Sequence, residues 1–286
     1  MPDIITAEDN LTLIHAFERL EHPSYAIRLC NVIGTPLSMA FKLLPHGWYR
    51  RLQGYAEACI VKALQLSITH VMPAQSAPGN SRRHTLLSMV SGAVGGFLGG
   101  PAMLLEMPVS TSLMLSAIAD IARTEGEDIN SVETRIACLT VFALGGRSDE
   151  DDAADIGYYG LRMALEAPVA EALRYLSQAP RVVPGKAPAL VGFVQLVAKR
   201  FGVVLSEKAL IEMMPVFGAA GGALSNRIFM QHFQDMARCH FAIRRLERKY
   251  GPESVRNAYQ LIKYRESVRV PQYRSRRPQA LIPAAA

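Results

Sequence analysis

The sequence predicts an all-α fold, a multi-helix bundle built around two glycine-rich apolar helices. No segment shows the alternation of β-branched and polar residues, bounded by Asn-Gly or Asp-Gly turns, that is typical of strands. Helix-capping patterns and proline or glycine breaks recur along the chain instead. Two stretches, residues 86–105 and 215–224, combine apolar residues with closely spaced glycines. Together these three observations predict the helical class.

The N-terminal portion, residues 1–85, is predicted to be helical with several breaks. Thr6, followed three residues later by Asp9, can cap a first helix that ends before Pro23. Residues 24–72 are predicted to form two or three amphipathic helices. The segment 73–85, which holds two prolines and a glycine, is predicted to be a loop.

The two glycine-rich stretches share a four-residue spacing that puts their glycines on one stripe of a helix. A stripe without side chains lets another backbone approach closely, so we expect the two stretches to lie against each other or against a partner or membrane. Three arrangements of the two stretches are compatible with the sequence: a hairpin buried in the bundle, a hairpin docked on a bilayer, and two membrane spans. The second stretch is short for a membrane span. The glycines concerned are Gly92, Gly96, Gly100, Gly218 and Gly222.

The helices between and after these stretches have recognisable ends. Asn130 and Glu133 resemble a capping box, and the helix that they open is predicted to stop at Gly145-Gly146 in a left-handed turn. Ser148 and the four acidic residues after it predict the next helix start.

The C-terminal part of the chain is predicted to begin after a proline-rich boundary at residues 177–188. A long helix over about 216–250 is predicted to end at Gly251-Pro252, followed by one more helix. We expect a single helical domain over residues 1–268 and a basic, disordered tail over residues 269–286.

Composition and charge restrict the class of protein. Hydrophobic residues make up 50% of the 286 residues, the formal net charge is +6, and none of the four cysteines is in a CxxC pair, which indicates reduced thiols in a cytosol. The first ten residues lack the pattern of a signal peptide.

Charge is unevenly distributed along the chain. Residues 120–155 hold ten acidic and three basic residues, whereas the segment from Arg227 onward holds thirteen basic and four acidic residues. A basic C-terminal third favours an anionic surface, and a solvated helix with a charged tail is the alternative. Nucleic acid is not the expected partner, because the basic residues are not interleaved with stacking aromatic residues.

No catalytic motif can be recognised. HExxH, GxSxG and the phosphate-binding GxxxxGK[ST] pattern are absent, which excludes the readily identified hydrolases and nucleotide enzymes. Carboxylates and imidazoles that face each other across a bundle can hold metals. Such sites usually contain Glu-x-x-His pairs, and neither residues 120–128 nor residues 232–240 contain one. Structural ion pairs at helix ends are therefore the favoured interpretation, and we expect neither a metal nor a cofactor. The candidate catalytic residues are Asp120, Asp128, His232 and His240.

For the other polar residues near the apolar helices, a structural role is favoured over a functional one. Tyr158 and Tyr159, with Arg162, could contact a ligand, but aromatic residues on a half-buried helix usually pack while a hydroxyl reaches water. Asn226, directly after the second glycine-rich stretch, is expected to cap or bridge helices.

Several separated strings, in order, resemble the EcsC protein family over about residues 50–255. The family is bacterial and is named for a member encoded beside an ABC transporter. The resemblance implies a helical fold, bacterial origin and an intracellular location, and it implies no particular activity. The resembling strings are SAIADIARTEGED (116–128), VFALGG (141–146), GAAGGALSN (218–226), HFQD (232–235) and RLERKYG (245–251).

These observations lead to one functional expectation and two alternatives. We expect a non-enzymatic cytoplasmic protein that associates peripherally with the inner membrane or a membrane protein complex, as an accessory to a transport or secretion system. The alternatives are a metal-dependent hydrolase of unknown substrate and a carrier that holds an apolar ligand between the glycine-rich helices. The oligomeric state is left open.

Overall fold

The computed structural model describes residues 5–21, 48–69, 81–98, 100–146, 157–178, 188–212 and 218–274. All regular secondary structure in these segments is α-helical, which confirms the predicted fold class. The described helices are α1 (Ala7–Glu21), α2 (Trp48–Thr69), α3 (Ser81–Leu98), α4 (Gly100–Thr124), α5 (Val132–Leu144), α6 (Tyr158–Gln178), α7 (Pro188–Glu212), α8 (Gly218–Tyr250) and α9 (Pro252–Arg274).

The first helix begins and ends as the sequence predicts. The Thr6 hydroxyl oxygen accepts a hydrogen bond from the backbone N–H of Asp9 at 3.3 Å, so it satisfies one of the unpaired donors of the first turn. The helix ends at Glu21, before Pro23. Its buried face, which includes Leu13 and Phe17, packs against α8 and α9.

The first glycine-rich stretch is divided between two helices. Helix α3 begins at Ser81 and ends at Leu98, and α4 begins at Gly100. The prediction of a loop through residue 85 is therefore wrong, and so is the prediction of one apolar helix over residues 86–105. The glycines clustered at the end of α3 each lower helix propensity by up to about 1 kcal/mol relative to alanine, which explains why the apolar run does not form one helix. Within the described residues, no helix combines the length and hydropathy that a membrane crossing requires.

Helix α5 is capped one residue later than predicted. Its N-cap is Ser131, whose hydroxyl oxygen accepts a hydrogen bond from the Thr134 N–H at 3.1 Å. The Asn130 N–H donates to the Asp128 carboxylate at 2.9 Å, and the Glu133 carboxylate accepts from a side chain of α8. The predicted capping box is wrong because a serine beside the asparagine takes the same role equally well.

The end of α5 requires glycine for close packing rather than for a left-handed turn. Gly145 is right-handed, with φ −74° and ψ −22°, which contradicts the predicted left-handed cap. A Cβ atom on Gly145 would lie 2.4 Å from the ring of Phe233, and one on Gly146 would lie 2.1 Å from the carbonyl oxygen of Arg200. Helices α7 and α8 therefore approach this end of α5 too closely for any side chain.

The long C-terminal helix matches its prediction. Helix α8 ends at Tyr250, and Gly251 adopts φ +85°, a left-handed conformation that favours glycine. Pro252 then begins α9. Several predicted features lie outside the described residues: the breaks within 22–47, the cap at Ser148 with its acids, most of the 177–188 boundary and the chain after Arg274.

The core is organised around α8, which packs against α1, α3, α4, α5, α7 and α9. Phenylalanines from three helices meet at its centre: the rings of Phe142 and Phe201 are 5.0 Å apart, and those of Phe229 and Phe233 are 5.2 Å apart. Of the predicted reduced cysteines, the three in the described segments are free and buried.

Candidate functional site

The two glycine-rich stretches touch each other directly at Gly92 of α3 and Gly222 of α8. A Cβ atom on Gly92 would lie 2.3 Å from the carbonyl oxygen of Gly222 and 2.6 Å from the side-chain nitrogen of Asn226. No residue other than glycine fits there without movement of a backbone. The packing around Gly96, Gly100 and Gly218 falls outside what the structure describes.

Asn226 joins three parts of the bundle beside this contact. Its Nδ2 donates to the Ser88 carbonyl oxygen of α3 at 2.7 Å and to the Glu106 carboxylate of α4 at 2.6 Å. Asn226 therefore bridges helices, as the sequence predicts. Its Oδ1 and the neighbouring Ser225 hydroxyl are buried and have no hydrogen-bond partner in the described part of the chain.

Glu106 is the centre of this buried polar network. One carboxylate oxygen accepts from Asn226, Ser110 and Ser91, and the other forms an ion pair with the Lys208 ammonium at 2.7 Å. Burial raises the pKa of Glu106, but the Lys208 charge and these hydrogen bonds lower the pKa by more than burial raises it. The pKa therefore lies below its ordinary value. The network therefore holds a charged carboxylate and a charged amine inside the bundle.

Over residues 82–93, whose side chains the structure describes, helix α3 presents mainly polar and small residues to the interior and large aliphatic residues to the outside. Its buried described residues, at four-residue spacing, are His84, Ser88 and Gly92. No described side chain of α3 belongs to the hydrophobic core. The opposite face exposes large aliphatic side chains and two arginines near the helix start: Leu86 (62% exposed), Leu87 (44%), Val90 (57%), Arg82 and Arg83.

The candidate catalytic residue Asp120 has structural partners. Its carboxylate lies 2.9 Å from Nε2 of His84 and 3.6 Å from the guanidinium of Arg123. The pair with Arg123 is the predicted ion pair near a helix end, and Asp235 forms the equivalent pair with Arg238 at 3.0 Å. The Nδ1 atom of His84 is buried without a described partner.

The other three candidates lie in different environments. Asp128 is exposed and accepts the Asn130 N–H in the turn after α4. His232 lies 2.8 Å, through Nε2, from the carbonyl oxygen of Gly145. His240 lies 2.9 Å, through Nδ1, from the hydroxyl oxygen of Tyr158. Within the described segments, no three His, Cys, Asp or Glu side chains are arranged to hold a metal ion.

Tyr158 and Tyr159 pack in an aromatic cluster with Tyr259, with ring centroids 5.0 to 5.8 Å apart. Their hydroxyls contact buried or half-buried protein groups: that of Tyr159 donates to Glu247 at 3.0 Å. The predicted packing is confirmed, and both hydroxyls also have partners within the fold.

The acidic and basic segments of the chain pair with each other. Glu127 binds Arg244 at 2.9 Å and also Arg248, while Glu125 binds Arg245 at 2.8 Å. Burial raises the pKa of Glu127, and the two arginines lower it to a net value below its ordinary one. Much of the positive charge on the last turns of α8 is thus neutralised within the fold, which weakens the argument that the basic C-terminal third binds an anionic surface.

Sequence reasoning missed the Glu106–Lys208 pair, because its members are far apart in the sequence and lie in different apolar helices. The available signal was the placement of single charges in apolar surroundings, since a buried charge requires a partner. Glu106 closes an uncharged run of twenty residues, and Lys208 follows a stretch that is mostly apolar.

Comparison with known proteins gives one match. A model of the EcsC protein family matches residues 62–246, more than half of the chain, and the matched segment contains Gly92, Glu106, Lys208 and Gly222. No curated protein and no solved structure matches the chain. Because the match begins within α2 and extends nearly to the end of α8, it confirms what the separate strings predict: this protein belongs to the EcsC protein family.

Proposed function

We propose that this protein is a non-enzymatic cytoplasmic protein that binds the surface of the inner membrane, as an accessory to a transport or secretion system, and that α3 makes the contact. The observation that carries the proposal is the inverted polarity of α3. Its polar and small residues face α4 and α8, and Leu86, Leu87 and Val90 face outward.

An exposed aliphatic face is unfavourable in water and favourable at a lipid interface. Burying one such side chain is worth about 1.5–3 kcal/mol, and folded monomers rarely leave neighbouring apolar side chains uncovered without a binding partner. Leu86, Leu87 and Val90 lie within two turns of one helix, so they can enter a lipid interface together.

The charges beside this face favour an anionic surface. Arg82 and Arg83 are exposed one turn before Leu86, and each basic residue near an anionic membrane contributes about 1 kcal/mol. Apolar residues beside basic ones are the pattern of a helix that lies in the interface rather than across the bilayer.

Co-sedimentation of the full-length protein with lipid vesicles tests this proposal. Vesicles containing phosphatidylglycerol should bind the protein, vesicles of phosphatidylcholine alone should bind it less, and about 0.5 M salt should weaken the binding by screening. Leu86→Ser with Val90→Ser should weaken binding at least about tenfold, since one buried aliphatic side chain is worth more than that factor.

The matched control carries Leu11→Ser and Leu261→Ser, which remove leucines that are 67% and 49% exposed on α1 and α9. This variant should bind as the unmodified protein does. Equal binding by both double variants, or loss of binding only when residues 275–286 are removed, would show that α3 is not the contact. No binding to any vesicle would refute the proposed membrane association.

A further inference from the structure

A cavity of about 490 Å³ lies between α5, α6, α8 and α9, away from α3 and the Glu106 network. Its volume is in the range of small-molecule sites, about 300–1,000 Å³. One wall is apolar and is formed by Ala137, Leu165, Val169, Ala170 and Leu173. The cavity can therefore accommodate the apolar body of a small ligand.

His240 lines this cavity, and its hydrogen bonds determine which ring nitrogen carries the proton. The Tyr158 hydroxyl oxygen accepts from Arg162 at 3.3 Å and lies 2.9 Å from Nδ1 of His240. Among the described residues, Nδ1 is the one acceptor within hydrogen-bond distance of the Tyr158 hydroxyl, so we assign the Tyr158 proton to this hydrogen bond, with Nδ1 as its acceptor. In a neutral ring the other nitrogen, Nε2, is then an N–H donor.

The Nε2–H donor of His240 is buried and has no acceptor among the described residues. The residue is 3% exposed, and burial, together with the charges of Arg162 and Arg244, keeps the pKa of His240 well below its usual value. A buried neutral donor without a partner is destabilising. A ligand oxygen at Nε2 would remove that destabilisation.

The charged groups around the cavity favour an uncharged ligand. Three arginines and four glutamates line it. Arg162 is held by both oxygens of Glu247, at 2.6 and 3.0 Å, and Arg244 is held by Glu127 and Glu133. Arg256 donates to the sulfur of Met163, and two further glutamates offset its charge. An anion would thus meet a lining with a net negative charge.

Contact between a ligand and Nε2 is part of the proposal, because the atom is not exposed to the cavity in this structure and a neighbouring side chain has to move to open it. The atom is buried, but the cavity is bordered by Met163, which is 55% exposed and has an unbranched, adaptable side chain. Rotamer changes of this kind are common when a ligand binds.

We infer that this cavity binds an uncharged small molecule with an apolar body and one hydrogen-bond-accepting oxygen, held by the Nε2–H of His240. A medium-chain ketone, ester or amide has this chemistry. The inference does not depend on membrane binding by α3, since the two regions share no residue.

Calorimetric titration of the full-length protein with 2-octanone, and NMR of the protein labelled with ¹⁵N-histidine, test the inference. Saturable binding should occur together with a shift of the His240 Nε2 signal. Octanoate, which adds a negative charge to a chain of similar size, should bind at least about tenfold more weakly, which corresponds to about 1.4 kcal/mol.

Two alanines on α6 provide matched variants. Ala170 lines the cavity and Ala167 does not, and both are exposed. Ala170→Phe should abolish binding, whereas Ala167→Phe should bind 2-octanone as the unmodified protein does. Absence of saturable binding, equal binding by both variants, an unmoved Nε2 signal, or tighter binding of octanoate than of 2-octanone would each overturn the inference.

Discussion

Glu106 of α4 and Lys208 of α7 form an ion pair inside the bundle, with 2.7 Å between the carboxylate oxygen and Nζ and with side chains 6% and 0% exposed. The Lys208 ammonium also lies 5.1 Å from the centre of the Phe229 ring, and Glu106 accepts further hydrogen bonds. Such a pair persists only because each charge compensates the other away from water.

Removal of one member of this pair should be strongly destabilising. Lys208→Met leaves the Glu106 carboxylate uncompensated, and we expect a loss of about 3–5 kcal/mol in the free energy of unfolding. Glu106→Gln combined with Lys208→Met should lose less than the sum of the two single variants, as urea denaturation of all three would measure. Additive single effects would show that the pair is not coupled.

The contact between Gly92 and Gly222 should make alanine unfavourable at position 92. Gly92→Ala places a Cβ atom 2.3 Å from the Gly222 carbonyl oxygen, and we expect a loss of about 1–3 kcal/mol, as for overpacking in a core. Gly192→Ala is the control, because no atom lies within 4 Å of its added Cβ atom in the interior of α7. That variant should gain up to about 1 kcal/mol from helix propensity. Similar effects of both substitutions in thermal unfolding would contradict the close contact.

The ion pair of Asp9 with Lys249 should make the free energy of unfolding depend on pH in the acidic range. Hydrogen bonds from Lys249 and then from Tyr250 lower the pKa of Asp9 from 3.8 to about 2. A lowered carboxyl pKa means that the stabilisation is complete above the ordinary value and disappears as the pH falls through the lowered one. The difference in unfolding free energy between the unmodified protein and Asp9→Asn should therefore be constant from neutral pH to about pH 5, shrink between about pH 4 and 2, and vanish below.

Glu8→Gln is the control for this experiment, since Glu8 is the exposed neighbour of Asp9. Its difference from the unmodified protein should not follow the same profile. A difference for Asp9→Asn that stays constant down to about pH 2 would show that the Lys249 pair contributes nothing.

The hydrogen bond between Tyr158 and His240 should contribute to stability independently of any ligand. Tyr158→Phe leaves Nδ1 of His240 buried without its donor, and we expect a loss of about 1–3 kcal/mol. Tyr264→Phe, which changes a tyrosine that is 66% exposed on α9, should stay within about 0.5 kcal/mol. The two variants can be compared by urea denaturation, and an equal, small effect would contradict a stabilising hydrogen bond between Tyr158 and His240.

Local signals in the sequence predict the helix ends when one residue alone can take the role. Thr6 caps α1 and Gly251 ends α8 as expected, because neither has a competing neighbour. The cap of α5 was misplaced by one residue because Asn130 and Ser131 are both suitable. Gly145 was misinterpreted because glycine serves close packing as well as left-handed turns, and only the position of Phe233 decides between them.

Contacts between residues that are distant in the sequence cannot be predicted from such local signals. The spacing of glycines predicts that Gly92 meets another backbone, and Gly222 does lie there. Nothing in the sequence indicates that Glu106 would meet Lys208, or that the hydroxyl of Tyr158 would meet His240, because helical periodicity fixes the face of a residue but not the helix opposite. The exposed face of α3 was missed for the same reason, since an apolar helix with small residues is expected to be buried.

Glu21 lies outside residues 62–246, the segment that matches the family, but it forms a hydrogen bond with a residue inside that segment. Its carboxylate accepts the backbone N–H of Tyr158, which opens α6, at 2.9 Å and the hydroxyl of Tyr259 at 2.8 Å. A polypeptide trimmed to the matched boundaries would keep Tyr158 without this acceptor, and it would also lose the ring pair of Phe17 and Tyr259, whose centroids are 5.2 Å apart and which both lie outside the matched segment. We therefore expect the matched segment alone to be less stable than the full-length protein, and recombinant protein for these experiments should retain α1 and α9.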